Sequence, residues 1–262
     1  MPNFREIYPR YWPGGAAGST TPVEDYLMTR ITGAVEGALY NPFDTAEIAQ
    51  NSDGSGTVTA SDPVGYCIGN RGDTNINATQ TDSGRKLTYQ QAPGGEYGVV
   101  ATGSTDVLTA TTGSTTRPFY VGLRFSTAAS FTATTQYIAA WGKGTTATDY
   151  LTIFKNAAGN EIRFYCGSTQ TGGTMATSTT YAVFAKFINT ATAQYFVDGL
   201  LNVSGSAGTN NTFTTISLCG VENLASVHNT DFTLHKALFT DLSVNATDIA
   251  AIQYVMANAG HV

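Results

Sequence analysis

Charge is scarce in this sequence: Asp, Glu, Lys and Arg make up 12% of its 262 residues, about half the fraction usual in globular domains. That shortage, with 28 Gly and long Thr/Ser stretches, excludes a helical bundle, which draws on Glu, Lys, Arg and Leu. Positive charge is scarcer still. Thirteen Lys and Arg against nineteen Asp and Glu leave a net charge of −6 and a pI near 4.9. No basic field is available for a phosphate backbone or an anionic lipid surface, so neither nucleic acid nor membrane is an expected partner. Long apolar runs are absent as well. Nowhere do about 18 apolar residues follow one another, and Met1-Pro2-Asn3-Phe4-Arg5-Glu6 has no apolar run behind it, so no membrane span or signal peptide is read.

The residues of catalysis are few and badly spaced. Cys67, Cys166 and Cys219 are odd in number and far apart, which reads as buried reduced thiols; no C-x-x-C pair proposes a zinc site. The histidines are His228, His235 and His261, and no Gly-x-Ser-x-Gly elbow supplies a nucleophile for one to activate. His261 is the penultimate residue and His228 falls in a turn. His235 shares its strand parity with Thr233 and Ala237, opposite Phe232, Leu234 and Leu238, and is expected to face solvent. Seven glutamates, Glu6, Glu24, Glu36, Glu47, Glu96, Glu161 and Glu222, show no Glu-x-Asp-x-x-Glu spacing, the single-strand carboxylate pattern of laminarinase-like glycosidases. Trp141-Gly142-Lys143-Gly144 lacks the first glycine of a P-loop and reads as a hairpin turn. The expectation is therefore a chain that is not an enzyme.

What is present is alternation. Phe119, Val121, Leu123 and Phe125 alternate with Tyr120, Gly122 and Arg124, predicting a strand at 118–126. Further strands are predicted at 136–141, 149–155, 161–166, 181–189, 193–198, 213–219 and 232–240. Asn156-Ala157-Ala158-Gly159-Asn160 and Asp198-Gly199 make hairpin turns between them. Eight strands joined mostly as hairpins predict an all-β fold of two packed antiparallel sheets. Between residues 45 and 113, Gly, Asn, Asp and Thr hide the register. Asn245 caps a C-terminal helix whose stripe of Ile249, Ile252, Val255, Met256 and Ala259 is expected to seal the open end of the sandwich before Gly260 stops it.

Residues 1–38 read as an N-terminal arm, with Thr21-Pro22-Val23-Glu24 starting a short helix that runs to about Ile31. Tyr8, Tyr11 and Trp12 combine low conformational entropy with large contact area. They serve either docking on a neighbouring subunit or covering one end of their own domain. Residues 39–262 form the sandwich. Arg71-Gly72-Asp73 matches the integrin tripeptide and equally an ordinary turn. Tyr137, Trp141, Tyr150 and Tyr165 are candidate platforms for a sugar ring; Trp141 beside Lys143 is the rim candidate, and a core tryptophan at a strand end is the competing reading.

Leu39-Tyr40-Asn41-Pro42-Phe43-Asp44, Asp53-Gly54 and Asp62-Pro63-Val64-Gly65, followed by Tyr195-Phe196-Val197-Asp198-Gly199 and Phe239-Thr240-Asp241-Leu242-Ser243, occur in the order seen in a known family. The segment resembles concanavalin A-like/laminin G-like jelly-roll domains of tailed-bacteriophage virion proteins, with Asn41 where the family carries Asp. The resemblance spans residues 39 to 260 and implies a jelly roll in a phage particle, made in the host cytoplasm. A capsid decoration or cement protein, or an appendage held by its arm to major capsid, tail or neck proteins, is the first expectation. A carbohydrate-binding tail fibre or spike that recognises host glycan is the second, and a homo-oligomer is expected in either case. Such domains often hold calcium at the rim, and Asp53, Asp62, Asp73 and Asp82 could supply oxygen ligands or equally serve their own turns. No other cofactor is implied.

Overall fold

The computed structural model describes residues 22–103, 105–115, 117–143, 150–206, 208–210, 212–221 and 230–260. In chain order it contains α1 (Pro22–Arg30), β1 (Gly37–Tyr40), β2 (Ile48–Ala49), β3 (Pro63–Val64), β4 (Tyr66–Cys67), β5 (Gly69–Asn70), β6 (Ala78–Thr79), β7 (Leu87–Gln91), β8 (Tyr97–Val100) and β9 (Leu108–Thr111). Then follow β10 (Phe119–Thr127), β11 (Gln136–Gly142), β12 (Tyr150–Lys155), β13 (Glu161–Tyr165), β14 (Thr169–Thr174), β15 (Thr180–Phe187), β16 (Ala193–Val197), β17 (Leu200–Gly205), β18 (Thr215–Leu218), β19 (Phe232–Thr240) and α2 (Ala246–Ala257).

Two antiparallel sheets result. The first runs β17-β16-β15-β10-β19-β8-β7-β3, with β1 paired to β19 and β5 to β1; the second runs β14-β13-β12-β11-β18-β9-β6-β4-β2. Alternation along β10 turns Phe119, Val121, Leu123 and Phe125 into the space between the sheets, where they join Trp141 and Ile153 of the second sheet. Trp141 lies 6.2 Å from the Phe119 ring and 6.0 Å from Phe239, edge to face. The fold is thus a two-sheet, jelly-roll-like antiparallel sandwich, as the alternation predicts. The three cysteines are buried and unbridged.

A second apolar layer lies on the outer face of the first sheet. Leu27 and Ile31 of the α1 segment meet Ile252, Val255 and Met256 of α2 over Leu39, Tyr120, Phe184 and Leu238. The C-terminal helix therefore does not seal an open end of the sandwich; it covers a sheet face. Gly122 permits its approach, because a Cβ there would come within 3.0 Å of Met256 Cγ and 3.2 Å of Ile252 Cγ2. The helix ends at Ala257 with Asn258 as its cap, so Ala259 is exposed and Ala251, outside the predicted stripe, is buried. Asp248 ties the two helices together. It closes the capping box with Asn245, accepts from Tyr26 Oη at 2.7 Å and pairs with Arg30 at 3.1 Å.

His235 is corrected too. In the β10–β19 ladder Arg124 faces Lys236 but Phe125 faces Leu234, so His235 is the extra residue of a bulge. Phe232 and Leu234 point between the sheets before it, and Ala237 and Phe239 after it. With helices over the outer face as well, no residue of β19 is exposed, and His235 is fully buried.

Candidate functional site

The residues proposed from sequence do not gather at one place. Tyr8, Tyr11 and Trp12 lie outside the described residues, as do His228, His261 and Glu222. Trp141 is 0% exposed and its Nε1 donates to Thr112 Oγ1 at 3.2 Å. It is a core residue, and the rim platform expected of it is ruled out by burial. Lys143 is exposed, at the edge of residues 144–149, which are not described. Tyr137, Tyr150 and Tyr165 do meet, on the outer side of the second sheet. Their ring centroids are 6.4 and 4.9 Å apart, and Tyr137 also stacks on Phe154 at 5.4 Å. Tyr137 meets Tyr150 edge to face and Tyr150 is tilted on Tyr165, and all three rings are half-buried.

The aspartates serve their own turns. Asp53 accepts from Ser55 N and Oγ, Asp62 from Thr59 N and Oγ1, and Asp82 from Gly84 N. Asp73 accepts from Gly33 N and pairs with Arg71 at 2.9 Å. Among the described residues no three His, Cys, Asp or Glu come together as a metal-holding group. Arg71 is folded inward, donating to the Gly33 and Gly37 carbonyls, so Arg71-Gly72-Asp73 is built as a turn rather than presented as a ligand.

A cleft that the sequence reading missed opens beside α2, with a volume of about 440 Å³, within the range of ligand sites. Its floor is the outward row of the β15–β16 hairpin. Phe184 and Phe196 face each other in register, with Ala182 one step along. Tyr254, Gln253 and Asn258 of the C-terminal helix segment form the opposing wall, and Arg124, Thr180 and Asp198 bring polar groups to it. Asp198 and Gly199 adopt φ of 50° and 78°, the left-handed pair of a tight hairpin turn. That turn holds the Asp198 carboxylate at the cleft, where Oδ1 accepts from Ala182 N at 2.9 Å. The usable signal in the sequence was parity. Thr180, Ala182 and Phe184 share one face of their strand and Phe196 and Asp198 one face of the next, so two aromatic rings fall on the side that faces away from the core.

Behind the cleft lies a buried polar chain. Thr180 Oγ1 is 2.7 Å from Ser126 Oγ, which is 2.7 Å from His235 Nε2, and His235 Nδ1 is 2.7 Å from the Tyr97 carbonyl. Burial pushes the His235 pKa below its ordinary 6.5, although the Tyr97 carbonyl and the nearby Glu96 carboxylate act in the other direction. Arg124 runs alongside, its Nε donating to Glu96 at 2.8 Å, a second nitrogen to the other Glu96 oxygen, and Nη1 to the carbonyls of Met256 and Ala257 at 3.2 and 3.1 Å.

The same architecture occurs in solved structures. Trypanosoma rangeli sialidase aligns at 12% identity and a TM-score of 0.51, over 85% of this chain and 33% of that chain. The same protein as a covalent intermediate with 2,3-difluorosialic acid gives 13%, 0.52, 93% and 37%, and in complex with sialic acid 11%, 0.52, 90% and 37%. The chain spans about a third of the length of the sialidase chains it matches. At such identity the likeness is one of fold. No family model matches the sequence, and no curated protein does. One expectation is overturned by this comparison: the solved structures just named are of a sialidase, an enzyme, so neither the sandwich nor the missing carboxylate spacing marks the chain as catalytically inert.

Proposed function

We propose that this chain is a glycan-binding jelly-roll module carried by a tailed-phage particle. The cleft beside α2 supports the glycan half of this reading. A sugar ring has C–H faces that pack on apolar rings and edges that hydrogen-bond, and here the half-buried Phe196 ring, backed by the buried Phe184, lies in a cleft whose lining carries Thr180, Asp198 and Asn258. The particle half rests on the ordered motifs from Leu39-Tyr40-Asn41-Pro42-Phe43-Asp44 to the last helix. A glycan array tests the first half. Specific retention that Phe196→Ala abolishes, with the melting curve of the sandwich preserved, is the expected result; retention of no saccharide by the intact chain removes the glycan reading.

A second reading, a decoration or cement component attached through its arm, is favoured by the sequence Tyr8-Pro9-Arg10-Tyr11-Trp12-Pro13. Flat arrays together with tight, arm-dependent binding to assembled shells would select it.

A further inference from the structure

A single buried imidazole is tied to the cleft on two sides. On the first, the direction of each hydrogen bond can be traced. The Tyr97 carbonyl only accepts, so Nδ1 of His235, 2.7 Å away, carries the ring proton. In the neutral ring Nε2 is then an acceptor, and Ser126 Oγ, 2.7 Å from it, donates there. Ser126 has no second proton and accepts from Thr180 Oγ1, also at 2.7 Å. Thr180 lines the cleft and, in this state, sends its proton inward.

On the second side the Glu96 carboxylate, 3.9 Å from Nε2, is held by two nitrogens of Arg124. Arg124 also donates to the carbonyls of Met256 and Ala257 at 3.2 and 3.1 Å, fixing the end of α2 against the sheet. Arg124, Met256 and Ala257 all line the cleft. Around the ring, then, β8 contributes Glu96 and the Tyr97 carbonyl, β10 Arg124 and Ser126, and β15 Thr180. Next along β19 is Lys236, whose ammonium Glu24 of α1 holds at 3.0 Å. Protonation of His235 reverses the first chain and weakens the second. With a proton on both ring nitrogens, Nε2 donates to Ser126 Oγ, Ser126 turns its proton to Thr180, and Thr180 sends its own outward into the cleft. The same charge draws on Glu96 and competes with Arg124 for it, which loosens the hold on Met256 and Ala257.

We infer that the protonation state of His235 controls the cleft, which holds its ligand at neutral pH and releases it in acid. This rests on the glycan-binding reading and adds the regulation of that site. The sign follows from linkage. A ligand filling the cleft removes water from Thr180 and Arg124 and deepens the burial that already disfavours the imidazolium. Because coupling is reciprocal, protonating the ring disfavours the ligand by the same factor.

Nuclear magnetic resonance on the full chain, with a glycan array run at two pH values, tests this. On acidification from about pH 7 to about pH 5.5 the His235 ring should titrate from its Nδ1–H form. The amides of Thr180, Met256 and Ala257 should shift with the same midpoint, while the indole N–H of Trp141, in the core, stays in place. Retention of the array's neutral saccharides, which carry no group titrating in this range, should fall by about three- to tenfold, the worth of one hydrogen bond. His235→Gln should flatten both responses. Ser126→Ala should leave the ring titrating and uncouple Thr180 from it, which separates a broken relay from a misfolded variant. Cleft amides that ignore the His235 titration, or retention that is level with pH in the intact chain, would overturn the control and leave the glycan reading standing. Retention of no saccharide at either pH would remove both.

Discussion

His235 shows how far one residue's position can depart from strand parity. Strict alternation assigns it to solvent, but the bulge opposite Arg124 and Phe125 adds a residue to β19 and reverses the faces on either side. The resulting burial has a thermodynamic signature. Because burial lowers its folded pKa below 6.5, the unfolded chain takes up the proton first as pH falls. Its contribution to stability is whole above about pH 6.5 and is lost as pH drops from there through the folded value. Thermal melts at constant ionic strength should show Tm falling between pH 7 and 5.5, and His235→Gln should flatten that slope. The fall below about pH 4 should persist in the variant. It arises from carboxylates such as Asp248, which burial acts to raise but which bonds from Arg30, Asn245 and Tyr26 hold below the ordinary range. An unchanged slope between pH 7 and 5.5 would assign the titration to another group. Nothing in the sequence announces the bulge; a buried imidazole needs neighbours that only the fold supplies, here Ser126 and the Tyr97 carbonyl, 109 and 138 residues away.

At the scale of elements, the legibility of the sequence follows the strength of local alternation. From Phe119 onward longer strands carry enough alternation to be seen despite bulges such as the one in β19, and the eight predicted spans fall on β10, β11, β12, β13, β15, β16, β18 and β19. Strands β14 and β17 were missed, the first because Thr169-Gln170-Thr171-Gly172-Gly173-Thr174 has no apolar face. Before Gly113 several strands are two residues long, β2 to β6 among them, and two residues cannot display a period. The C-terminal helix was legible as an element and misread as to its face. Ala251 and Ile252 are both buried against the first sheet, so an aspartate at either should destabilise by more than about 3 kcal/mol. Thr247→Asp, exposed in the first turn beside the helix N-terminus, should be neutral or favourable by a few tenths of a kcal/mol. Urea unfolding of the three variants measures the contrast; a mild Ala251→Asp would mean that α2 sits differently on the sheet.

On the scale of the whole molecule, the question is where the fold begins. The sequence divides the chain at residue 38, yet the helix layer uses residues well before that point. Leu27 and Ile31 are 0% and 1% exposed, Glu24 holds the buried ammonium of Lys236 at 3.0 Å, and Arg30 pairs with Asp248. Lys236 in turn donates to the Val255 carbonyl at 3.2 Å, so α1 and the end of α2 share one buried cation. Removing residues 1–20 leaves all of these contacts in place, and the shortened chain should melt within a few degrees of the full one. Removing residues 1–35 exposes Leu39, Leu238 and Val255 and leaves Lys236 without its Glu24 partner. Loss of Leu27 and Ile31 alone costs roughly 3 kcal/mol or more, equivalent to a fall in Tm of about 6–12 °C for a domain near this size. Calorimetry on the two truncations decides the boundary, and binding of each to assembled particles separates folding from attachment. A 1–20 deletion that folds but no longer attaches places the assembly contact in Tyr8, Tyr11, Trp12 and their neighbours. A 1–20 deletion that unfolds would make those residues part of the core, and the arm-attachment reading would fall.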